Sequence, residues 1–405
     1  MSKKKEIVPK LRFPEFSKSY WGITRLNALA DKITERNKGA DISRVFTNSA
    51  TEGVVDQEEY FDRDIANKNN LTNYFVVEKG DYVYNPRIST TALVGPISKN
   101  KLGIGVMSPL YTVFRFRNKE NDFYKHFFLT NLWHAYIKNL SNTGARHDRI
   151  TISVDNFMKM PLPYASSEEE QKIADCLSSI DELIDAESRK LKALEKYKKG
   201  LMQKLFPAEG KTLPEWRFPE FRGKSEWRIK PLGKICTNYD SRRIPITEKD
   251  RVKGEIPYIG ASGVIDYIND FIFDEDLLCV SEDGANLVAR TYPIAFSISE
   301  KTWVNNHAHV LKFSHKYTQD IVESYLNMIN LQDFLTGMAQ PKLNRAKLDI
   351  IPIPLPEEEE QKKIAGCLSD VDTMITEQSN KVEQLKAHKK GLMQGLFPSL
   401  EEADV

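Results

Sequence analysis

A long amphipathic segment constrains the fold of this chain more than any other feature. After Glu168-Glu169-Glu170-Gln171, apolar residues recur in steps of four and three as far as Phe206, and Pro207 follows. The pattern predicts one helix of about 34 residues, roughly 50 Å long, with the apolar seam of a coiled coil. A helix with a single apolar stripe needs a partner that buries it. The predicted seam residues are Ile173, Leu177, Ile180, Ile184, Leu191, Leu194, Leu201 and Leu205.

The chain supplies such a partner in a second segment, which follows Glu358-Glu359-Glu360-Gln361 and extends to Phe397 before Pro398. Two seam positions in each helix are not apolar, and these breaks are equivalent: Glu187 and Lys198 in the first helix, Gln378 and Lys389 in the second. The chain is therefore an internal duplication, and we expect the two helices to bury each other's seams. The second set of seam residues is Ile364, Leu368, Val371, Ile375, Val382, Leu385, Leu392 and Leu396.

Charge predicts how the helices pair. Residues 168–187 contain eight acids and one lysine, whereas 188–205 contain seven bases and one acid, and the second helix has the same bias more weakly. Antiparallel pairing places the acidic half of each helix beside the basic half of the other, and parallel pairing places like charges together. We therefore predict an antiparallel pair. A solvated charged face on helices that other contacts hold is the alternative.

The duplication extends into the rest of the chain. Arg12-Phe13-Pro14-Glu15-Phe16 recurs as Arg217-Phe218-Pro219-Glu220-Phe221, and a Trp-x-Ile-x-x-Leu motif follows each copy. The predicted fold class is α+β, with two globular mixed α/β domains separated by two long antiparallel coiled-coil helices in an internal pseudo-twofold repeat. The predicted segments are an N-terminal segment (1–19), a first body (20–163), a central spacer helix (164–208), a second body (209–356), a distal spacer helix (357–398) and a tail (399–405).

Local patterns predict several elements within the bodies. Residues 74–77 and 81–84 flank Glu78-Lys79-Gly80 and are typical of a hairpin, 111–116 of a strand, and 123–139 of a helix. In the second body we predict strands at 264–268, 277–280 and 294–296 and a helix over 319–334. Proline segments at 160–163 and 353–356 predict extended backbone. Ser166 or Ser167 is expected to cap the first long helix, and Pro356 to occupy the first turn of the second.

Composition excludes some classes of protein. No run of about 18 apolar residues occurs and no apolar stretch follows the N-terminal lysines, so we expect no membrane span, no signal peptide and a cytoplasmic location. The four cysteines are far apart, and we expect them to be buried apolar residues in a reducing compartment. Because the formal net charge is +1, a nucleic-acid binder of this composition needs local basic patches.

No catalytic constellation is present in the sequence. Asn85-Pro86-Arg87 lacks the second proline and the aromatic residue of an adenine methyltransferase motif, and Gly103-Ile104-Gly105 is an isolated G-x-G. The position where a P-loop ending at Gly210-Lys211-Thr212 requires glycine is Leu205. His307 and His309 have no carboxylate or cysteine at ligand spacing, so a loop or structural role is favoured over a metal site. We predict no catalytic residue and no metal ligand.

Two bodies of different sequence on repeated frames suit a long ligand with two separate segments, and duplex DNA is such a ligand. Arginine that pairs with guanine and asparagine or glutamine that pairs with adenine would carry specificity, and lysine would contact phosphates. A Gly-x-x-[His/Gln]-x-[Arg/Lys] turn, which occurs in register at 144–149 and 337–342, carries the clearest of these residues. Ordinary solvent exposure is the alternative for any single residue. The candidates are Arg36, Lys38, Asn48, Asn85, Arg87, Arg146, His147 and Arg149 in the first body, and Arg242, Arg243, Ser262, Asn286, Arg290, Asn305, Asn306, Lys342, Asn344 and Arg345 in the second.

The chain resembles the specificity subunits of type I restriction–modification enzymes over nearly its whole length. The Arg-Phe-Pro-Glu-Phe motifs and the Glu-Glu-Glu-Gln helices carry the resemblance, together with the helix ends Lys199-Gly200-Leu201-Met202-Gln203 and Lys390-Gly391-Leu392-Met393-Gln394. Three further segments match: 81–87, 342–345 and 351–356.

The resemblance implies that the bodies are target-recognition domains, each of which recognises half of a bipartite site in double-stranded DNA. It also implies that the helices dock two methyltransferase subunits, which motor-nuclease subunits join. The partners would bind the cofactors: S-adenosylmethionine in the adenine methyltransferase, and ATP and Mg in the motor-nuclease. This chain would be non-catalytic and bind none.

Two other functions stay open at this point. One is a self-contained DNA methyltransferase or nuclease, against which the missing motifs count. The other is a coiled-coil scaffold that does not bind DNA, which the nearly neutral charge favours.

Overall fold

In a computed structural model, the structure describes residues 7–61, 68–141, 148–337 and 340–400. The chain forms two compact units, which we call unit 1 (Met1–Glu187 with Lys381–Val405) and unit 2 (Ser188–Asn380). Each unit thus combines one body with part of each long helix.

Unit 1 contains most elements of the first repeat. In chain order they are β1 (Gly22–Arg25), α1 (Leu26–Leu29), β2 (Ala30–Lys32), β3 (Phe46–Ser49), β4 (Gly53–Asp56), α2 (Gln57–Tyr60), β5 (Phe75–Val77), β6 (Tyr82–Tyr84), β7 (Ile97–Lys99), β8 (Gly105–Met107), β9 (Thr112–Phe116), α3 (Asp122–Phe127), α4 (His134–Leu140), α5 (Val154–Met158), β10 (Pro161–Tyr164) and the first part of α6 (Ser167–Leu205).

Unit 2 begins within α6 and contains most elements of the second repeat. In chain order they are β11 (Arg228–Pro231), β12 (Thr237–Asn238), β13 (Lys253–Gly260), β14 (Gly263–Ile268), β15 (Phe273–Asp274), β16 (Leu277–Ser281), α7 (Asn286–Ala289), β17 (Ala295–Ile298), β18 (Lys301–Val304), β19 (Ala308–Lys312), α8 (Lys316–Met328), α9 (Arg345–Asp349), β20 (Pro352–Leu355) and the first part of α10 (Glu358–Leu396).

The same four-stranded antiparallel sheet occurs in both bodies. Its strand order is β2-β9-β6-β7 in unit 1 and β12-β19-β16-β17 in unit 2. Tyr82 of β6 pairs with Phe114 of β9, and Leu278 of β16 pairs with Leu311 of β19. The central strands β6 and β16 are buried along their whole length, which their aromatic and branched apolar residues favour. The pairing fixes an equivalence between the bodies, in which Tyr82 corresponds to Leu278.

The strand that opens each body pairs with its proline strand. β1 pairs with β10 and β11 pairs with β20, both antiparallel. The Leu26 amide donates to the Met160 carbonyl at 2.9 Å, and the equivalent Leu232 amide donates to the Ile351 carbonyl at the same distance. The two ends of each body are therefore joined next to the start of a long helix.

The Arg-Phe-Pro-Glu-Phe motifs hold the N-terminal turns of these helices. Arg12 donates from Nε and Nη2 to the two carboxylate oxygens of Glu169 at 2.7 and 2.8 Å. Arg217 donates in the same way to Glu360 at 2.7 and 2.6 Å, and these hydrogen bonds raise the pKa of Arg217. Both carboxylates are buried. Bidentate ion pairs of this kind are geometrically specific, so each copy of the motif fixes the start of one long helix in the same way.

The hydrophobic core of each unit includes the ends of both helices. Ile173 and Leu177 of α6 pack in one cluster with Leu396 of α10 in unit 1. Leu205 of α6 packs in one cluster with Leu368 of α10 in unit 2. In each unit the start of one long helix therefore lies beside the end of the other, and the predicted antiparallel pairing is confirmed.

Burial follows the predicted seams. The buried seam residues are Ile173, Leu177, Leu205, Ile364, Leu368, Val371, Val382 and Leu396, and the half-buried ones are Ile180, Ile184, Leu191, Leu194, Leu201, Ile375, Leu385 and Leu392.

Ion pairs between the helices involve three of the four seam breaks. Lys198 contacts Asp372 at 2.5 Å, and the equivalent Lys389 forms an ion pair with Asp181. Glu187 contacts Lys381 at 2.5 Å. Each pair joins an acidic half to a basic half, as the sorted charge predicts.

Some local predictions are confirmed. The predicted strands at 111–116, 264–268, 277–280 and 294–296 correspond to β9, β14, β16 and β17. Ser166 caps α6 by accepting the Glu169 amide at 3.3 Å.

Other local predictions are wrong. β5 and β6 do not form a hairpin, because β5 pairs with β8 whereas β6 pairs with β7 and β9. The predicted helix over 123–139 is two helices, α3 and α4. The predicted helix over 319–334 is α8 followed by a separate 3₁₀ turn at Gln332–Phe334. Pro356 precedes α10 rather than occupying its first turn.

Candidate nucleic-acid interface

A short backbone bridge follows the central strand of the first body, and we call it bridge 1. The Ile88 amide donates to the Asp148 carbonyl at 3.0 Å, and the Ile150 amide donates to the Pro86 carbonyl at 2.9 Å. These bonds place Arg87 opposite Arg149. The bridge therefore brings together two of the predicted DNA contacts, which are more than sixty residues apart in sequence.

The second body has the same feature at the equivalent place, and we call it bridge 2. The Gly284 amide donates to the Pro341 carbonyl at 3.1 Å, and the Leu343 amide donates to the Glu282 carbonyl at 2.8 Å. Asp283 lies opposite Lys342. The equivalence of Tyr82 with Leu278 makes Asp283 the counterpart of Arg87, and Lys342 the counterpart of Arg149.

Bridge 1 presents two guanidinium groups around one carboxylate. The Arg87 side chain is 66% exposed, and its Nε lies 3.7 Å from Oδ2 of Asp148. Nε of Arg149 lies 3.6 Å from the same oxygen. Both distances exceed a hydrogen bond, so Asp148 balances part of the positive charge without binding either group tightly.

Bridge 2 presents different chemistry on the same backbone. Nδ1 of His307 lies 2.8 Å from the carboxylate of Asp283, and Nζ of Lys342 lies 3.2 Å from Glu282. His307 and Lys342 are exposed, whereas Asp283 is partly covered. Burial raises the pKa of Glu282, but its hydrogen bonds with Arg243 and Lys342 and the charge of His309 outweigh burial and lower it.

A buried histidine supports bridge 2 from below. Nδ1 of His309 lies 2.6 Å from Asp240, and its Nε2 lies 2.7 Å from the carbonyl of Leu343. The ring therefore links Asp240 to the backbone of Leu343 in bridge 2. The predicted structural role of His309 agrees with this position.

Two further candidates occupy equivalent positions. The Ile33 amide bonds to Val113 and the Tyr239 amide bonds to Val310, and three residues later come Arg36 and Arg242. The Arg36 guanidinium lies 4.2 Å from the Phe75 ring centre, and that of Arg242 lies 4.8 Å from the Phe273 ring centre. Both arginines are exposed, so each body carries a cation stacked on a phenylalanine.

Several candidates use their side chains to hold the fold. Asn48 is buried and donates to the Val83 carbonyl, and Asn85 donates to the Asn48 carbonyl. Arg243 contacts Glu282 at 2.8 Å, and Asn344 caps α9. Arg290 donates to the carbonyls of Leu326 and Ile329, and burial lowers its pKa. Asn286 and Asn305 accept backbone amides within their own loops.

The remaining candidates are distributed over both bodies. Lys38, Ser262, Asn306 and Arg345 are exposed. Arg146 and His147 lie outside the described residues. Contact with DNA stays a prediction for every candidate, since no described contact tests it.

The sequence matches the profile of the type I restriction modification DNA specificity domain twice, over residues 23–196 and 224–387. The chain belongs to this family.

Known specificity subunits resemble the chain over different lengths. A protein of Haemophilus influenzae named as a type I restriction enzyme specificity subunit is 33% identical over 153 residues, which are 38% of this chain and 39% of that protein. The MjaVIII specificity subunit of Methanocaldococcus jannaschii is 26% identical over 71% of this chain and 72% of its own. The crystal structure of a Mycoplasma genitalium S subunit aligns with 97% of this chain and 100% of that one, with a TM-score of 0.62 and 13% identity.

The chain is thus a specificity subunit of a type I restriction–modification system with two DNA-recognition domains. Proteins of this family are the non-catalytic specificity components of these enzymes. Within the described ranges of this specificity subunit, no group of three histidine, cysteine or acidic residues could hold a metal ion. No described helix combines the length and apolar character needed to cross a membrane.

Asp148 and Asp283 at the bridges of this specificity subunit were not among the sequence candidates, and His307 was expected to have only a loop or structural role. The equivalence of Tyr82–Ile88 with Leu278–Gly284 would have indicated Asp283, but it follows from the strand pairings. The two sequences have too little in common for that alignment to be made without them.

Proposed function

We propose that this specificity subunit recognises a bipartite site in double-stranded DNA, with each body contacting one half. One observation carries the proposal: the two bodies share a backbone frame but present different side chains on it. Bridge 1 and bridge 2 have the same hydrogen-bond pattern, and their side chains are Arg87 with Arg149 in one case and Asp283 with Lys342 in the other. A repeated frame with unlike surfaces suits two half-sites of unlike sequence.

We further propose that the long helices dock two methyltransferase subunits, which motor-nuclease subunits then join in the cytoplasm. Leu183 and Met374 support this docking, because they occupy equivalent positions on α6 and α10 and are 43% and 49% exposed. Burial of an exposed apolar side chain by a protein partner is favourable, because it removes apolar surface from water. Their occurrence at two equivalent positions favours two copies of one partner.

The chemistry of methylation and cleavage then belongs to the partners. The methyltransferase subunits would bind S-adenosylmethionine, and the motor-nuclease subunits would bind ATP and Mg. This specificity subunit would supply the choice of DNA sequence and bind none of these cofactors.

Duplex binding with and without the methyltransferase tests the DNA function. We expect the assembled complex to discriminate between duplexes that carry the host methylation motif and duplexes with a scrambled motif. Affinity that is independent of sequence, and that the methyltransferase leaves unchanged, would contradict the proposal and favour a scaffold. Methylation by the isolated chain would favour the self-contained enzyme.

Exchange of one body tests whether the halves are independent. A chimera that carries the first body of a relative with a known motif should methylate a site altered in one half only. A change in both halves would argue against two modules.

Docking is tested on the helices themselves. Leu183→Glu and Met374→Glu should each weaken assembly with the methyltransferase, because a carboxylate would be buried in the interface. Thr376→Glu is the matched control, since it adds the same charge at an exposed position close to Met374. Equal effects of all three variants would contradict a specific docking position.

A further inference from the structure

Bridges 1 and 2 allow the side chains of the two bodies to be compared at equivalent backbone positions. Each body would face its own half-site. Both bodies must lie on the same kind of sugar–phosphate backbone, whereas they contact different bases. Positions with the same residue in both bodies therefore suit phosphate contacts, and equivalent positions with different residues suit base contacts.

On the basis of the proposed function, we propose that the two bridges are the specificity-determining points of the two half-sites, and that bridge 1 recognises guanine through Arg87 and Arg149. The equivalent arginines Arg36 and Arg242 then contact phosphates. No base contact of this chain follows from its family membership, so the assignment depends on the duplicated geometry alone.

The chemistry of bridge 1 matches the major-groove edge of guanine. Guanine presents two acceptors, O6 and N7, and arginine is the side chain whose donor fork fits both. Among the described residues, the side chains of Arg87 and Arg149 form no hydrogen bond, and their contacts to Asp148 are 3.7 and 3.6 Å. Their donors are thus available to a base. The backbone bonds at 86–88 and 148–150 hold the two residues side by side, which a selective contact requires.

Bridge 2 cannot make the same contact, because Asp283 replaces one arginine. A carboxylate accepts hydrogen bonds and is repelled by phosphate, so it suits an amino group such as that of cytosine or adenine. His307 and Lys342 beside it supply donors. The second half-site is therefore recognised by a mixed set of donors and an acceptor, and the two-arginine arrangement of bridge 1 does not occur here.

Arg36 and Arg242 are exposed cations, of which Arg242 also contacts Glu275 at 3.1 Å and Arg36 also donates to the Asn73 carbonyl. Each is exposed and stacked on a phenylalanine at 4.2 or 4.8 Å, which fixes the direction of a cation without providing a base-specific pattern. Phosphate contacts add affinity for all sequences and release counterions.

The experiment uses the specificity subunit assembled with its methyltransferase subunits. The probes are duplexes that carry the methylated motif of host DNA and every single-base-pair change within it. Arg87→Lys and Arg149→Lys keep the charge but remove the donor fork. Each should weaken binding of the intact motif about tenfold to a hundredfold. Each should also reduce the difference in affinity between the intact motif and the probes altered at one G·C pair. That pair lies in the half-site assigned to the first body.

The controls separate charge from base recognition. Arg44→Lys is matched, because Arg44 is also exposed and lies 2.8 Å from an aspartate, Asp56; it should leave every preference unchanged. Arg36→Ala should weaken all probes by a similar factor and reduce the slope of log K against log salt by about one. Unfolding curves for each variant verify that the unit is folded.

The inference is overturned if folded Arg87→Lys and Arg149→Lys complexes keep the wild-type preferences. It is also overturned if they weaken all probes equally or change the half-site of the second body. In each case the wild-type complex still discriminates and the proposed function stands. A wild-type complex that binds all probes alike contradicts the proposed function itself.

Discussion

Arg12 and Glu169 form a buried bidentate ion pair that ties the first residues of the described chain to the start of α6. Arg217 and Glu360 form the same pair in unit 2. The surroundings differ in one respect. Nε1 of Trp21 donates to Glu169 at 3.0 Å, whereas Nε1 of Trp227 is a buried donor for which no partner occurs in the described part of the chain.

We therefore expect Glu169→Ala to lower the free energy of unfolding by about 3–5 kcal/mol, since it removes the carboxylate from a buried pair. The loss for Glu360→Ala should be about 1–3 kcal/mol smaller than the loss for Glu169→Ala, because no tryptophan loses an acceptor. Denaturant unfolding measures both. Arg228→Ala is the control, because that arginine is 74% exposed and its pair with Glu357 should contribute about 1 kcal/mol or less. Equal losses for the two glutamate variants would contradict the role of Trp21.

A second prediction concerns an exchange of donor and acceptor between the repeats. In unit 1 the Ala165 amide donates to Oε1 of Glu170 at 3.0 Å. In unit 2 the equivalent residues are Pro356, which has no amide hydrogen, and Gln361, which donates to the Pro356 carbonyl at 2.9 Å. Ala165→Pro alone should destabilise unit 1 by about 1–3 kcal/mol, because Glu170 loses one of its two donors. Addition of Glu170→Gln should recover most of that loss.

Denaturant unfolding of the two single variants and the double variant completes this cycle. Strictly additive effects would show that residues 165 and 170 are not coupled.

The third prediction follows from the pKa of Glu170. Burial raises this pKa, and the amide of Ala165 and the hydroxyl of Tyr124 offset burial only in part. The folded state therefore binds more protons than the unfolded state just above the ordinary glutamate pKa. Stability should fall as pH rises from that value through the folded pKa. In Glu170→Gln this part of the dependence should disappear, and unfolding midpoints between pH 4 and pH 8 would measure it. A midpoint profile identical to wild type would contradict the prediction.

The seam supplies the fourth prediction. Leu177 is fully buried in unit 1, and Leu183 on the same helix is 43% exposed. Leu177→Ala should cost about 2–5 kcal/mol, because it leaves a cavity in the core. Leu183→Ala should change the free energy of unfolding by roughly 0.5 kcal/mol or less. Similar losses at the two positions would contradict the assignment of the seam. Thermal and denaturant unfolding measure both variants.

A fifth prediction rests on the chain ends. The Leu11 amide donates to the Gly395 carbonyl at 2.8 Å, and the equivalent Trp216 amide donates to the Lys204 carbonyl at 2.9 Å. The first described residues therefore lie against the end of α10 in the same way as the residues after α6 lie against the end of α6.

A permuted chain with residue 400 joined to residue 7 by a short linker, and with new ends between 208 and 215, should fold with similar stability. Denaturant unfolding and DNA binding by the assembled complex measure this. A permutant that fails to fold would contradict the equivalence.

The helices could be predicted from the sequence, because periodicity and charge are local signals. The step pattern predicted which side chains face the seam. The separation of each helix into an acidic and a basic half predicted ion pairs between the helices, of which Lys389–Asp181 and Lys198–Asp372 are examples. The predicted hairpin of residues 74–77 and 81–84 is wrong, because the Asp81 side chain stabilises a different turn at this place. Its carboxylate accepts the Glu78 amide at 2.8 Å and Nε of Arg115 at 2.6 Å, and this partner lies 34 residues away. A sequence pattern does not show such a distant partner.

The candidate site could be predicted only in part for a similar reason. Polar residue type indicated Arg87, Arg149 and Lys342, which are at the bridges. The same criterion also indicated Arg290 as a DNA contact, although the Arg290 side chain donates to two carbonyls at the end of a helix. Residue type does not distinguish a donor that holds the backbone from one available to a ligand, because the difference lies in tertiary contacts.

The exchange at residues 165/170 and 356/361 has a consequence for how genes of this kind recombine. A crossover between the two codons would join Ala165 to a glutamine, or a proline to Glu170. The second product has a half-buried Glu170 carboxylate without the amide donor that residue 165 supplies. A crossover on either side of the two codons keeps the partners together. We therefore expect recombinants with a boundary between the two codons to be less stable than those with a boundary on either side of them.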